Sequence, residues 1–166
     1  VCSSDLGILD LERIPADLAA IVRELAEDAR PAFAEGGIAL EIALPAASLP
    51  VEGDPRRLAQ AIGELLANAR KFTLPGGHVI VRAGAGPGHA WIEIADTGVG
   101  IPRAHQARVF QPFFQAEAGL TRRFGGVGLG LALAQRIARA HDGEITFVSE
   151  EGRGSTFRLT LPSAAG

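Results

Sequence analysis

The chain has 166 residues, a formal net charge of −3 and a single cysteine. That length allows one domain with a sizeable core, and the charge offers no basic footprint for nucleic acid. A lone cysteine rules out an internal disulfide framework and a cysteine metal site, and suits a reducing, cytoplasmic setting. No apolar run approaches the roughly 20 residues of a membrane span, and no segment has a signal-peptide layout, so direct membrane contact is not expected.

Residues 1–7 fit no element and read as a ragged or non-native start; residues 8–162 read as one domain and 163–166 as a tail. Ile8 to Ile14 alternates loosely and suggests an edge strand. Pro15-Ala16-Asp17 marks a helix start with Asp17 as N-cap, and Leu18, Ile21, Val22, Leu25 and Ala29 follow at helical spacing. Pro31 should kink or end that helix, and Gly36-Gly37 should stop it. Ile38, Leu40, Ile42 and Leu44 alternate as a strand with one buried face. Pro45 to Val51 reads as a loop. Gly53-Asp54-Pro55 opens a second helix, with Asp54 as N-cap and Pro55 in its first turn. Its buried stripe is Leu58, Ala61, Ile62, Leu65, Leu66, Ala69 and Phe72. His78 to Ala83 and Ala90 to Asp96 read as two strands of a hairpin. A short helix is expected over Arg103 to Phe110, then a lid-like stretch from Gln111 to Gly126. Leu129 to Ala140 reads as a third long helix with Leu129, Leu133, Ile137 and Ala140 on one face. Glu144 to Ser149 and Ser155 to Leu161 are two more strands. Helices and strands that do not alternate strictly predict an α+β, two-layer sandwich.

Three stretches carry chemistry. On the second helix, Glu64, Asn68 and Lys71 are spaced i, i+4, i+7 and fall within a wedge of about 60° beside the apolar stripe. Asn68 and Glu64 offer oxygens to Mg²⁺, a hard cation, and Lys71 offers charge to a phosphate; a solvated helix edge would show the same spacing. Asp96 ends a strand whose alternation buries Ile92 and Ile94, where an ionised carboxylate needs hydrogen bonds. It can accept from the exocyclic amine of adenine, or simply form the turn of an Asp-Thr-Gly. Gly126-Val127-Gly128-Leu129-Gly130 precedes a helix and can present backbone N–H groups to an anion. No strand leads into it, which excludes a dinucleotide fold, and no Gly-Lys-Ser/Thr follows, which excludes a P-loop.

Their order resembles the ATP-binding catalytic domain of sensor histidine kinases, in the GHKL superfamily. Glu64 to Thr73 is similar to that family's asparagine motif and Asp96 to Ile101 to its first glycine motif. Val109 to Phe114 is similar to its phenylalanine motif, Thr121 to Leu131 to its second glycine motif, and Gly152 to Phe157 to its closing hairpin. The resemblance implies a mixed, mostly antiparallel sheet covered on one face by three helices, with an ATP lid. It implies ATP and Mg²⁺ as cofactors and γ-phosphoryl transfer to a histidine. Asn68 and Glu64 would serve the metal, and Glu64, Asn68 and Lys71 the catalysis. Phe72 would lie near the base or sugar. Asp96 would read adenine, with Gly98, Gly100 and Ile101 alongside and Thr156 helping through water. Gly126, Gly128, Leu129 and Gly130 would wrap the triphosphate, with Arg122 or Arg123 at the γ-phosphate. Phe110, Phe113 and Phe114 would anchor the lid.

Two departures stand out. Glu64 replaces an Asn common in histidine kinases, which keeps open a GHKL ATPase or anti-sigma serine kinase with Glu64 as general base. Val127 replaces a frequent Thr or Ser. None of His78, His89, His105 and His141 sits in an acceptor-helix context. The implied partners are therefore a separate dimerisation and histidine phosphoacceptor domain and, indirectly, a response regulator receiver domain. A nucleotide-sensing module without turnover is the third reading.

Overall fold

The computed structural model describes residues 11–110 and 130–164. Five strands form the main sheet: β2 (Ala39–Ala43), β4 (His78–Gly86), β5 (His89–Asp96), β6 (Glu144–Glu150) and β7 (Gly154–Pro162), in the order β2-β4-β5-β7-β6. Only the β2–β4 pairing is parallel. Three helices, α1 (Leu18–Glu35), α2 (Pro55–Phe72) and α3 (Gly130–Ala140), pack on one face. Val79, Val81, Ile92, Ile94, Phe157, Leu159 and Ile145 point into that layer and are buried. The period-2 pattern of the strands and the stripe of α2 meet there, as in any two-layer sandwich. The α+β expectation holds.

The two N-caps are as read. Asp17 accepts from the Ala19 N–H at 3.0 Å and also from the Leu49 N–H at 2.8 Å. Asp54 Oδ1 accepts from the Arg56 N–H at 3.1 Å. Four expectations need correction. Pro15 and Ala16 belong to a strand, β1 (Ile14–Asp17), and Pro50 and Val51 to its antiparallel partner β3 (Pro50–Gly53). Four-residue strands bounded by proline are too short to show a period. Pro31 does not end α1, which continues to Glu35. Pro31 is exposed, so water can satisfy the carbonyl that loses its partner, while buried Phe33 anchors the next turn. The short helix expected over Arg103 to Phe110 is a 3-10 helix that ends at Arg108. On α3 the buried face is Ala132, Ala134, Gln135, Ile137 and Ala138, with Leu133 and Ala140 only half-buried. Small residues face inward because α3 lies close against α2, and the larger leucine turns toward the rim. The lid-like stretch and Leu129 lie outside the described residues.

His141 reads from sequence as a helix-end residue, and it is buried, with 3% exposure. Its Nδ1 pairs with the Ile137 carbonyl at 2.8 Å, and its Nε2 accepts the Asp54 N–H at 3.0 Å. The C-terminal end of α3 is thereby fixed to the N-terminal end of α2. Arg13 reaches the same corner, donating to the Ala140 carbonyl and to Asp142. Gln135 donates to the Ile145 carbonyl at 2.9 Å and accepts its N–H at 2.8 Å, which joins α3 to the start of β6.

Candidate functional site

Helix α2 supplies the first wall. Its apolar stripe is buried, which fixes its rotation and leaves Glu64, Asn68 and Lys71 half-buried along one edge. None of the three side chains has a hydrogen bond or ion pair among the described residues. Half-buried polar groups without protein partners cost solvation unless something else satisfies them.

The base of the site is the end of β5. Asp96 Oδ1 accepts the Gly98 N–H at 2.9 Å and the Ser155 N–H at 3.2 Å. Both bonds use the same oxygen, so Oδ2 keeps its acceptor capacity among the described residues. Burial pushes the carboxyl's pKa up from its ordinary 3.8, and the two N–H donors oppose that rise. The loop that follows is fastened to α2: the Val99 N–H donates to the Phe72 carbonyl at 3.1 Å. Gly98 must be glycine, because a Cβ there would overlap that same Phe72 carbonyl. Asn68 is one helical turn before Phe72 on the same side of α2. Asp96 and the polar edge of α2 therefore border one region.

Gly130 brings in the third wall. It opens α3, and a Cβ on it would overlap the Glu64 carboxylate. With His141 at the other end, α2 and α3 run antiparallel, and the N-terminus of α3 sits beside Glu64, one turn from Asn68. A helix N-terminus carries partial positive charge and free N–H groups.

The remaining residues named from sequence divide as follows. Phe72 is half-buried at the end of α2. Gly100 has φ +73°. The Ile101 N–H donates to Ser149 Oγ at 2.8 Å, and its side chain packs on the core. Phe110 packs edge-on against Phe147 and Phe157, with centroids 5.8 and 6.4 Å apart, and lies against the core; the lid it was expected to anchor lies outside the described residues. Thr156 is placed differently. It pairs with Ala95, whereas Ser155 pairs with Asp96, and alternate residues point to opposite faces. Ser155 is thus the residue beside Asp96, and Thr156 faces the outer side. A shallow hollow does touch both Asp96 and Thr156, but Arg153 and the exposed Val148 also border it. Ser149 and Ser155 line the same hollow. Sequence reading missed Ser155 because a one-residue register shift cannot be read from Gly-Ser-Thr-Phe alone. Arg122, Arg123, Gly126, Gly128, Leu129, Phe113 and Phe114 lie outside the described residues.

Residues 53–165 match the model of the family described as histidine kinase-, DNA gyrase B-, and HSP90-like ATPase. The chain belongs to that ATPase family. Among curated relatives, the circadian input-output histidine kinase CikA of Synechococcus elongatus is 44% identical over 109 residues, covering 66% of this chain and 14% of CikA. Among solved structures, the mycobacterial sensor histidine kinase MprB superposes with a TM-score of 0.78 at 29% identity, over 92% of this chain and 98% of that one. Full-length ShkA in complex with AMPPNP superposes with a TM-score of 0.82 at 31% identity, over 95% of this chain and 32% of ShkA. The chain thus corresponds to a catalytic domain of histidine-kinase type and spans a small part of the curated relative. Among the described residues no helix is long and apolar enough to cross a membrane.

Proposed function

We propose that this chain is the catalytic domain of a two-component sensor histidine kinase, binding Mg-ATP and passing its γ-phosphoryl group to a histidine on a separate dimerisation domain. One observation carries the reading: among the described residues, an acid with an open oxygen, a polar helix edge without protein partners and a helix N-terminus border one region. Asp96 Oδ2 suits the exocyclic amine of adenine, since a carboxylate only accepts. Asn68 and Glu64 provide the hard oxygen donors that Mg²⁺ favours, and two protein oxygens suffice where phosphates and water complete the shell. That ion would neutralise charge on the phosphates. Lys71 supplies a further positive charge on the same edge, and the N-terminus of α3 adds N–H donors. The acceptor histidine's ring nitrogen attacks the γ-phosphorus, the bond to the β-phosphate oxygen breaks and ADP leaves. The chain's part is positioning and charge neutralisation.

The relatives' names favour the kinase over the ATPase or serine-kinase alternative, which rests on Glu64 alone. A cytoplasmic location and a downstream receiver domain belong to the same proposal. The test mixes the chain with a separately produced helical hairpin carrying an acceptor histidine, Mg²⁺ and γ-labelled ATP. Acid-labile label should appear on the hairpin. Asn68→Ala should lower the initial rate at least about 100-fold, in the range that loss of a key electrostatic group costs. Steady phosphate release without labelled hairpin would overturn the kinase reading.

A further inference from the structure

Gly130 opens α3 with an ordinary helical backbone and no positive φ. Alanine fits such a place without strain and favours the helix more than glycine does. Backbone conformation therefore gives no reason for a glycine there, but space does. Among the described residues, the three heavy atoms nearest to a Cβ built on Gly130 all belong to Glu64: Oε1, which it would overlap, Cδ at 3.3 Å and Cβ at 3.9 Å. Other glycines near the site differ. A Cβ on Gly98, Gly100 or Gly154 would strike the main-chain carbonyl of Phe72, Glu150 or Asp96. Gly63, the neighbour of Glu64 on α2, has nothing within 4 Å of its own Cβ position. At Gly130 the empty place is filled by a movable acidic side chain.

What holds that side chain is room rather than bonding. Glu64 is half-buried and has no hydrogen bond or ion pair among the described residues. An ionised carboxylate gains hydration by turning outward, and the staggered rotamers of a glutamate allow it to. The Glu64 carboxylate can lie between α2 and α3 because residue 130 has no side chain to expel it. Alanine at 130 would send it to another rotamer at little cost to the fold, since the far end of a flexible side chain moves and no backbone does. Asn68, one turn further along the same edge of α2, would then offer its oxygen without an acidic neighbour.

A hard divalent cation binds through several oxygens at once, and the number of charged ligands tunes its affinity. We propose that Gly130 is a positioning residue: by leaving its side-chain position empty, it keeps the Glu64 carboxylate beside Asn68, where the two oxygens together receive the divalent cation that accompanies the nucleotide. The inference rests on the Mg-ATP reading above. Gly130 then acts through Glu64, a task distinct from giving phosphates access to the main chain.

Calorimetric titration with the non-hydrolysable ATP analogue AMPPNP, in excess Mg²⁺ and in EDTA, measures how much the metal tightens binding. Wild type, G130A, E64A and G130A/E64A form a double-mutant cycle. G130A should reduce the metal-dependent gain about 10-fold, as loss of a group that orients a metal ligand does. It should not weaken binding in EDTA by more than about 2-fold. In the E64A background the same substitution should change the gain less than about 2-fold, because the side chain it acts on is absent. Without nucleotide, G130A should melt no lower than wild type. An equal loss from G130A with and without Glu64, or an equal weakening in Mg²⁺ and in EDTA, would show Gly130 serving the phosphates directly and overturn the proposal. So would an unchanged gain in G130A, or a G130A chain that melts well below wild type or fails to fold. Wild type binding the analogue equally in Mg²⁺ and in EDTA would overturn this inference and leave nucleotide binding standing. Wild type binding it in neither would overturn the functional reading as well.

Discussion

Replacing Asp96 by Asn should make the ligand-free protein more stable and its response to ATP weaker. The Asn Oδ1 can still accept the Gly98 and Ser155 N–H groups that Asp96 Oδ1 accepts at 2.9 and 3.2 Å. What it removes is a charge that burial disfavours. Burial raises the Asp96 pKa above 3.8 in the folded protein, so the native state holds this proton to a higher pH than the unfolded chain does. Stability then falls as pH rises from 3.8 through the folded pKa, and above it the ionised acid is a constant cost. Ligand-free Asp96→Asn should therefore melt above wild type at pH 7, with the gap closing as pH drops below 3.8. Toward ATP, the variant loses a hydrogen bond to a charged acceptor, about 1.5–3 kcal/mol, or roughly 10- to 150-fold in Kd. At ATP 100 times the wild-type Kd, binding adds about 2.7 kcal/mol to wild type and about 0.3–1.4 kcal/mol to the variant. For a chain of this size that is a melting shift of roughly 5–11 °C against about 1–6 °C. Differential scanning fluorimetry with and without Mg-ATP reads both arms. A variant that melts below wild type without ligand at pH 7, or that keeps the full ATP shift, would refute the reasoning.

Gly98→Ala places a Cβ on the Phe72 carbonyl, a backbone group that cannot rotate away; urea unfolding should show a loss of about 2–4 kcal/mol, and a loss under about 0.5 kcal/mol would show the loop free to shift. His141→Ala removes the acceptor of the Asp54 N–H and the partner of the Ile137 carbonyl, which should cost about 1–3 kcal/mol in the same experiment. Because that corner is at the far end of α2 and α3 from Asn68 and Gly130, calorimetry should find the ATP affinity of the folded variant unchanged.

The parts of the fold written in long periods were legible. The stripe of α2, the β4–β5 hairpin and both N-caps follow from residues whose local chemistry admits few alternatives. Elements defined by distant partners were not. The β1–β3 pair has four residues a side, and each strand exists only because the other is there. The buried face of α3 was misread because Leu133 outweighs the alanines in any apolar count, while close packing against α2 selects the alanines. The site shows the same division. Asp96, Asn68, Glu64 and Lys71 announce themselves as polar residues on apolar elements, but Ser155 acquires its place from strand register. Gly98 was expected beside the nucleotide, and the room it leaves is filled by the chain's own Phe72 carbonyl.

That last point separates the two ends of the site. At the base end every group is held by the protein itself: Gly98 against α2, Ser155 and Gly98 on Asp96, and Ser149 on Ile101 and Ser155. Such a network is rigid before any nucleotide arrives, and rigidity lowers the ordering cost of binding. At the proposed phosphate end, Glu64, Asn68 and Lys71 have no protein partners among the described residues. An end that must hold a stable base through the reaction is pre-organised, whereas the end where charge moves from one oxygen to another keeps side chains that can follow it. On this argument, substitutions at Asp96 or Ser155 act on affinity. Substitutions at Asn68 or Lys71, on α2, act on metal dependence and turnover.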